Sequence, residues 1–221
     1  MARSDKILTE KQKQLLTLLS QVQDIVNNFY LSGGTALAEY YLRHRYSEDL
    51  DFFSSEEFDP MAVQVILKKI TEQSRIKFID YQKSFNRNLF FLHFHDEVIK
   101  TEFTYYPFSQ IEKPLIVDNL KIDSLIDIAT NKVFTIYQNP RSRDFIDLYC
   151  ILIKQKWDFS DLRKKARIKF DTHIDPLQLA QQLLQVTELQ DYPRMVIDLR
   201  VEEWQNYWMK EVKRLKEEVL E

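Results

Sequence analysis

Two aspartates one residue apart, Asp49 and Asp51 in "DLDFF", stand about fifteen residues after Gly33 and Gly34, the only two glycines of the 221-residue chain. Side chains at i and i+2 of an extended segment share a face, so Asp49, Asp51 and Phe53 project together. Two carboxylates held close repel each other unless a cation lies between them, and oxygen ligands of this kind suit Mg²⁺, which completes its shell with water and substrate phosphate. Leu50, Phe52 and Phe53 flank the pair, and unpaired charge on such a core-like strand is costly. A ligand explains the pair better than a solvated strand end does. The glycines supply the complementary half, because a helix entered through them exposes its first N–H groups, and these with the helix dipole attract phosphate. Ser32, Gly33, Gly34 and Thr35 thus form a candidate phosphate cradle, a plain turn being the alternative.

These residues need elements to position them. Apolar residues from Leu8 to Phe29 recur at three and four, predicting a helix ahead of the glycines. "TALAEYYLRHR" predicts a second helix and "DLDFF" a strand. "DPMAVQVILKKITEQ" predicts a helix capped by Asp59 with Pro60 in its first turn. "RIKFIDYQ", "NLFFLHFH" and "EVIKTEFTYYPF", rich in aromatic and β-branched residues, predict a meander. From about Asp118 onward the strand signal vanishes and five segments read as helix, beginning with "SLIDIATNKVFTIYQ" and closing with "DLRVEEWQNYWMKEVKRLKEEVLE". The expected fold class is α/β: a mixed sheet flanked by helices, over residues 1–118, followed by an all-helical portion, 119–221, that closes the site. No internal repeat or flexible linker separates them, so the two parts are expected to pack as one body.

Composition removes several classes. The chain is 44% hydrophobic, and 31 basic against 34 acidic residues leave a net charge of −3, too little for a protein that coats nucleic acid by its overall field. The amino terminus lacks the apolar core of a signal peptide, and no run approaches the ~18 apolar residues of a membrane span. The single cysteine, Cys150, lies in apolar "LYCILI", which predicts a buried thiol and, with no disulfide possible, a cytoplasmic location.

The motifs "SGGTALA" (32–38), Arg45, Ser47 and "DLDFF" (49–53), with "IDSLIDIATNKVFTIY" (122–137) and "RSRDFIDLY" (141–149) in order behind them, resemble the nucleotidyltransferase superfamily, and within it the AbiEii-type toxins of abortive-infection and toxin–antitoxin systems. The likeness covers roughly residues 30–150. It implies transfer of a nucleotide from a nucleoside triphosphate to a hydroxyl acceptor, with two Mg²⁺ ions on Asp49 and Asp51 and the β and γ phosphates on the glycine cradle. The position of the superfamily's third carboxylate, most often Asp, is Glu102 here; a longer side chain still reaches a metal or deprotonates the acceptor, a salt bridge beside Lys100 being the alternative. The resemblance gives Lys132 the task of neutralising triphosphate charge, and gives Arg143, Asp144 and Asp147 a role in the nucleotide pocket.

Other signals are weaker. His93 and His95 have the spacing of strand metal ligands but no third ligand nearby; Trp204, Tyr207 and Trp208 read as core or subunit contact. Basic runs at 163–169 and 210–216 could grip a nucleic-acid backbone, and the first motivates an RNA acceptor, transfer RNA or another cellular RNA. The competing expectations are transfer to a small molecule or a protein, and a non-catalytic nucleotide-binding module acting through protein contact, with a cognate antitoxin as partner.

Overall fold

The computed structural model describes residues 6–220. The chain forms two compact units, one built from the chain up to Tyr41 with Ser47–Ser124, the other from Leu42–Tyr46 with the residues after Ser124.

The first unit is organised on a seven-stranded mixed sheet of order β3-β4-β5-β2-β1-β7-β6. Its strands are β1 (Tyr30–Ser32), β2 (Leu50–Ser54), β3 (Phe78–Ser84), β4 (Arg87–His93), β5 (Val98–Tyr105), β6 (Leu115–Val117) and β7 (Leu120–Ile122). Alternation sets the two faces of β2: Leu50, Phe52 and Ser54 are buried, while Asp51 and Phe53 face the other side half-buried. On the buried face Phe52 stacks on Phe103 at 5.1 Å, and Phe29 and Phe90 meet the same ring edge-on. Helix α1 (Glu10–Leu19) starts at a capping box formed by Thr9 and Gln12 and buries Leu15, Leu16 and Leu19. Helix α4 (Pro60–Gln73) is capped by Asp59, whose side chain accepts from the Met61 amide, and buries Val63, Leu67 and Ile70 at helical spacing. The β3–β4–β5 meander is present as predicted.

Three features correct the sequence reading. The single helix expected over 8–29 is α1 and a short α2 (Gln23–Asn28), broken at Ser20–Val22. Tyr30–Ser32 is then a strand, short enough to leave no alternating pattern since all three residues are buried. Strand structure also persists past Asp118: β6 and β7 form a hairpin turned by Asp118 (φ 48°) and Asn119 (φ 68°), two residue types that tolerate the left-handed region a two-residue hairpin turn requires.

The second unit is helical, with α5 (Leu125–Gln138), α6 (Ser142–Gln155), α7 (Phe159–Lys169), α8 (Pro176–Leu184) and α9 (Val201–Leu220). Trp204 and Trp208 are buried; the Trp208 indole donates to the Phe145 carbonyl at 3.1 Å and packs edge-on against Phe145 and Phe159, so the tryptophans are core. Leu42–Tyr46 joins this unit by backbone: the Tyr46 amide donates to the Arg194 carbonyl at 2.9 Å, and the His44 carbonyl accepts from the Val196 amide at 2.9 Å.

Candidate active site

The candidate site is built where β1 ends. Ser32 pairs with Asp51 across the antiparallel β1–β2 ladder, and Gly33 follows at φ 71° to open α3 (Gly33–Leu37), which runs on into a π-helical turn over Ala38–Leu42. Glycine is required here twice over. The left-handed φ disfavours any side chain, and a Cβ on Gly33 would stand 2.5 Å from Asp51 Oδ2. The Asp51 carboxylate therefore lies directly against the backbone at the mouth of the cradle. On its other side Asp51 is in register with Glu102 in the parallel β2–β5 pair, so Ser32, Asp51 and Glu102 stand abreast on three adjacent strands.

Asp49 precedes β2 and is held through its backbone. The Thr35 hydroxyl bonds the Asp49 carbonyl and, at 2.8 Å, the Ser47 hydroxyl. Buried Gln12 adds a bond from its amide to the Glu48 carbonyl at 2.8 Å. Thr35, expected at the phosphate, thus spends its hydroxyl on positioning Asp49. Ser32 likewise donates to buried Asp123 at 2.7 Å, a carboxylate that also accepts from Gln110 at 2.9 Å. Asp123, missed at the sequence level, was signalled only by its place in "IDSL" after an unrecognised strand.

The carboxylates are matched by cations from the neighbouring strands. Lys100 donates to Asp49 at 3.0 Å. Arg87 makes a two-pronged contact with Glu102, Nε to Oε1 and Nη2 to Oε2, each 2.6 Å, while Thr104 donates to Oε1 at 2.7 Å. Burial raises the Glu102 pKa, but the bonds from Arg87 and Thr104 and the charges of Arg87 and Lys100 outweigh it, leaving the group below the usual carboxylate range. Arg87 in turn is shifted upward, chiefly by its bond to Glu102, with Asp51 and Asp49 contributing. Such a Glu102 is a poor proton acceptor and a good partner for positive charge.

Among the described residues no three His, Cys, Asp or Glu side chains converge as a ready metal cage. The donors nonetheless fit a hard divalent cation: Asp49, Asp51 and Glu102 offer only carboxylate oxygens, Asp51 and Glu102 stand in register, and Asp49 and Glu102 already attract compensating cations.

The other expected residues lie in the helical unit. Asp147 on α6 is fully buried and accepts from Arg45 Nε at 2.6 Å, Arg45 Nη2 at 2.8 Å and His44 Nε2 at 2.7 Å. Lys132 on α5 lies 2.6 Å from Asp144 and 2.8 Å from Asp147. Burial pushes the Asp147 pKa up, but the charges of Arg45 and Lys132 and the bonds from Arg45 and His44 bring it well below its ordinary value. Lys132, Asp144 and Asp147 are therefore one buried network with Arg45, whose charges balance two against two; Arg143, also on α6, is half-buried. Local spacing could not reveal a pair 102 residues apart. Of the basic run at 163–169, Arg163 bonds Glu218, Lys164 bonds Asp161 and Lys169 bonds buried Asp127, leaving Lys165 and Arg167 exposed. Cys150 is held as a thiol, its pKa pushed up to about 12 by burial. No helix among the described residues is long and apolar enough to cross a membrane.

Comparison with known proteins agrees with this architecture. The AbiEii family, described as a nucleotidyl transferase toxin of a type IV toxin–antitoxin system, matches residues 17–220. An uncharacterized protein of Aquifex aeolicus (strain VF5) is 33% identical over 169 residues, 74% of this chain and 76% of that one. Two Helicobacter pylori crystal structures share the fold: JHP933, at TM-score 0.59 and 18% identity over 96% of this chain and 94% of its own, and a chain assigned as a nucleotidyltransferase, at TM-score 0.60 and 20% identity over 97% and 99%.

Proposed function

The chain belongs to the AbiEii nucleotidyl transferase toxin family of type IV toxin–antitoxin systems, and from that membership we propose that it uses Mg²⁺ and a nucleoside triphosphate to place a nucleotide on an RNA hydroxyl, transfer RNA being one such acceptor. The observation that carries this reading is the seating of Asp51 against Gly33, with Glu102 in register beside it. That geometry puts carboxylate oxygens next to a helix entrance suited to phosphate.

In this reading Asp49 and Asp51, with Glu102 at their flank, would hold two Mg²⁺ ions, which would neutralise the charge developing on the transferred phosphate. Gly33 and Gly34 offer backbone N–H groups to the β and γ phosphates, Ser32 and Thr35 fixing the strand and loop on either side. The acceptor oxygen bonds the α phosphorus as the bond to the β-phosphate oxygen breaks; pyrophosphate leaves with the electron pair and the hydroxyl proton passes to water. Glu102, held ionised, acts electrostatically rather than as the base. The same reading gives Lys132, Arg143, Asp144 and Asp147 to nucleotide recognition, with Asp147 fixing the position of Lys132. Family membership, with exposed Lys165 and Arg167, supports an RNA acceptor and a cytoplasmic setting, and implies a cognate antitoxin that opposes the activity.

The test is incubation of the pure protein with Mg²⁺, each triphosphate labelled at the α phosphate, and total cellular RNA. Label on RNA supports the proposal; label only on small molecules or protein reassigns the acceptor, and no transfer in any combination contradicts it.

A further inference from the structure

The sheet face that carries the carboxylates does not end at Asp51. Directly paired residues share a face, so Tyr30 and Phe53, Ser32 and Asp51, and Tyr30 and Lys121 belong to one surface. At about 3.3 Å per residue, Phe53 lies ~7 Å beyond Asp51 along β2, away from the glycine end. Aromatic rings pave this stretch. Phe53 meets Tyr30 edge-on at 5.9 Å and stacks on Tyr106 at 4.7 Å, and Tyr106 meets Phe108 at 4.9 Å. Phe53, Tyr106 and Phe108 are only half-buried. The row opens into a cavity of about 410 Å³ lined by Phe108, Asn28, Ser55, Gln110 and Lys121 among others. Gln110 ties it to the site, since the Gln110 amide bonds Asp123 and Asp123 bonds Ser32. Lys121 donates to a neutral group, the Asn27 carbonyl, a contact that does not cancel its charge.

Half-exposed aromatic rings, amides and hydroxyls for base edges, and a lysine for phosphate make up the chemistry by which proteins hold single-stranded RNA. Position decides which nucleotide. In an in-line displacement the attacking oxygen stands opposite the leaving group. With pyrophosphate leaving at the glycine end, the acceptor arrives from the aromatic end. We propose that the cavity beside Phe108 and Lys121 is an acceptor subsite, holding a nucleotide of a single-stranded RNA end while its terminal hydroxyl reaches the carboxylates. This rests on the RNA-acceptor reading above.

The experiment measures binding of a fluorescent single-stranded RNA oligonucleotide with a free 3′ hydroxyl, without triphosphate, across a salt series, alongside label transfer to the same oligonucleotide. Phe108→Ala is expected to weaken binding about tenfold, as loss of one stacked base does. Lys121→Gln is expected to lower the slope of log affinity against log salt by about 0.7, one phosphate contact on a single strand. Lys121 is a surface residue, so its variant keeps the test decisive if Phe108→Ala misfolds. Wild-type affinity and salt slope in both variants, with label still transferred to RNA, overturn the subsite while leaving the RNA acceptor standing. Neither binding nor transfer to RNA by the wild-type protein removes the acceptor reading itself, and the subsite with it.

Discussion

Gly33 and Asp51 are bound to each other by space: the side chain that one lacks is where the carboxylate of the other sits. Gly33→Ala should therefore cost about 1–2 kcal/mol of stability from the left-handed backbone alone, and more from displacing Asp51; urea unfolding measures the first, and label transfer should fall together with it. Asp51→Asn keeps the shape but removes the charge that a divalent cation needs, and transfer should drop by about a thousandfold, several kcal/mol of charge stabilisation, with unfolding midpoint little changed. Glu102→Gln should cost less, of order tenfold, because Arg87 and Thr104 already engage both of its oxygens. The Gly-Gly and DLD motifs were legible because their chemistry is local. The partners of Glu102 and Asp147 were not, since Arg87 and Arg45 reach them across 15 and 102 residues, and no short-range spacing encodes that pairing.

Among the elements, those with long periodic patterns or a cap announced themselves: α4 behind Asp59, the three aromatic strands of the meander, and the five helices of the second unit. Three-residue strands did not. β1 is wholly buried and β7 is Leu-Lys-Ile, too short for a period of two to separate from the helical patterns beside them. Yet β1 sets the register that brings Ser32 to Asp51. The hairpin that supplies β7 depends on its turn, where Asp118 and Asn119 both hold positive φ. Asn119→Val should lower stability by about 1–2 kcal/mol, since a β-branched residue resists that conformation, whereas Asn119→Gly should be neutral or slightly stabilising. Thermal unfolding of the two variants distinguishes a demanding turn from a permissive one.

For the molecule as a whole, stability in acid turns on buried carboxylates in both units, Asp147 on α6 and Glu102 on β5. Asp147 and Glu102 both have depressed pKa values, against ordinary values of 3.8 and 4.5. Each stabilises the fold fully above those ordinary values, and the contribution is lost as pH falls through the lower, folded-state value. Stability should therefore be flat toward neutral pH and decline below about pH 4. Asp147→Ala leaves Arg45 and Lys132 short of a counter-charge and should cost about 3–5 kcal/mol at neutral pH, with less loss on acidification than the wild-type protein shows. The claim on which the functional reading turns is more local: a metal-bound triphosphate lodges between Asp49, Asp51 and the Gly33–Gly34 helix entrance. A crystal structure with Mg²⁺ and a non-hydrolysable nucleoside triphosphate tests it most directly. The account predicts Mg²⁺ at about 2.1 Å from an Asp51 oxygen, with the terminal phosphates at the glycine amides; a triphosphate bound elsewhere, with Asp49 and Asp51 bearing no metal, would contradict it.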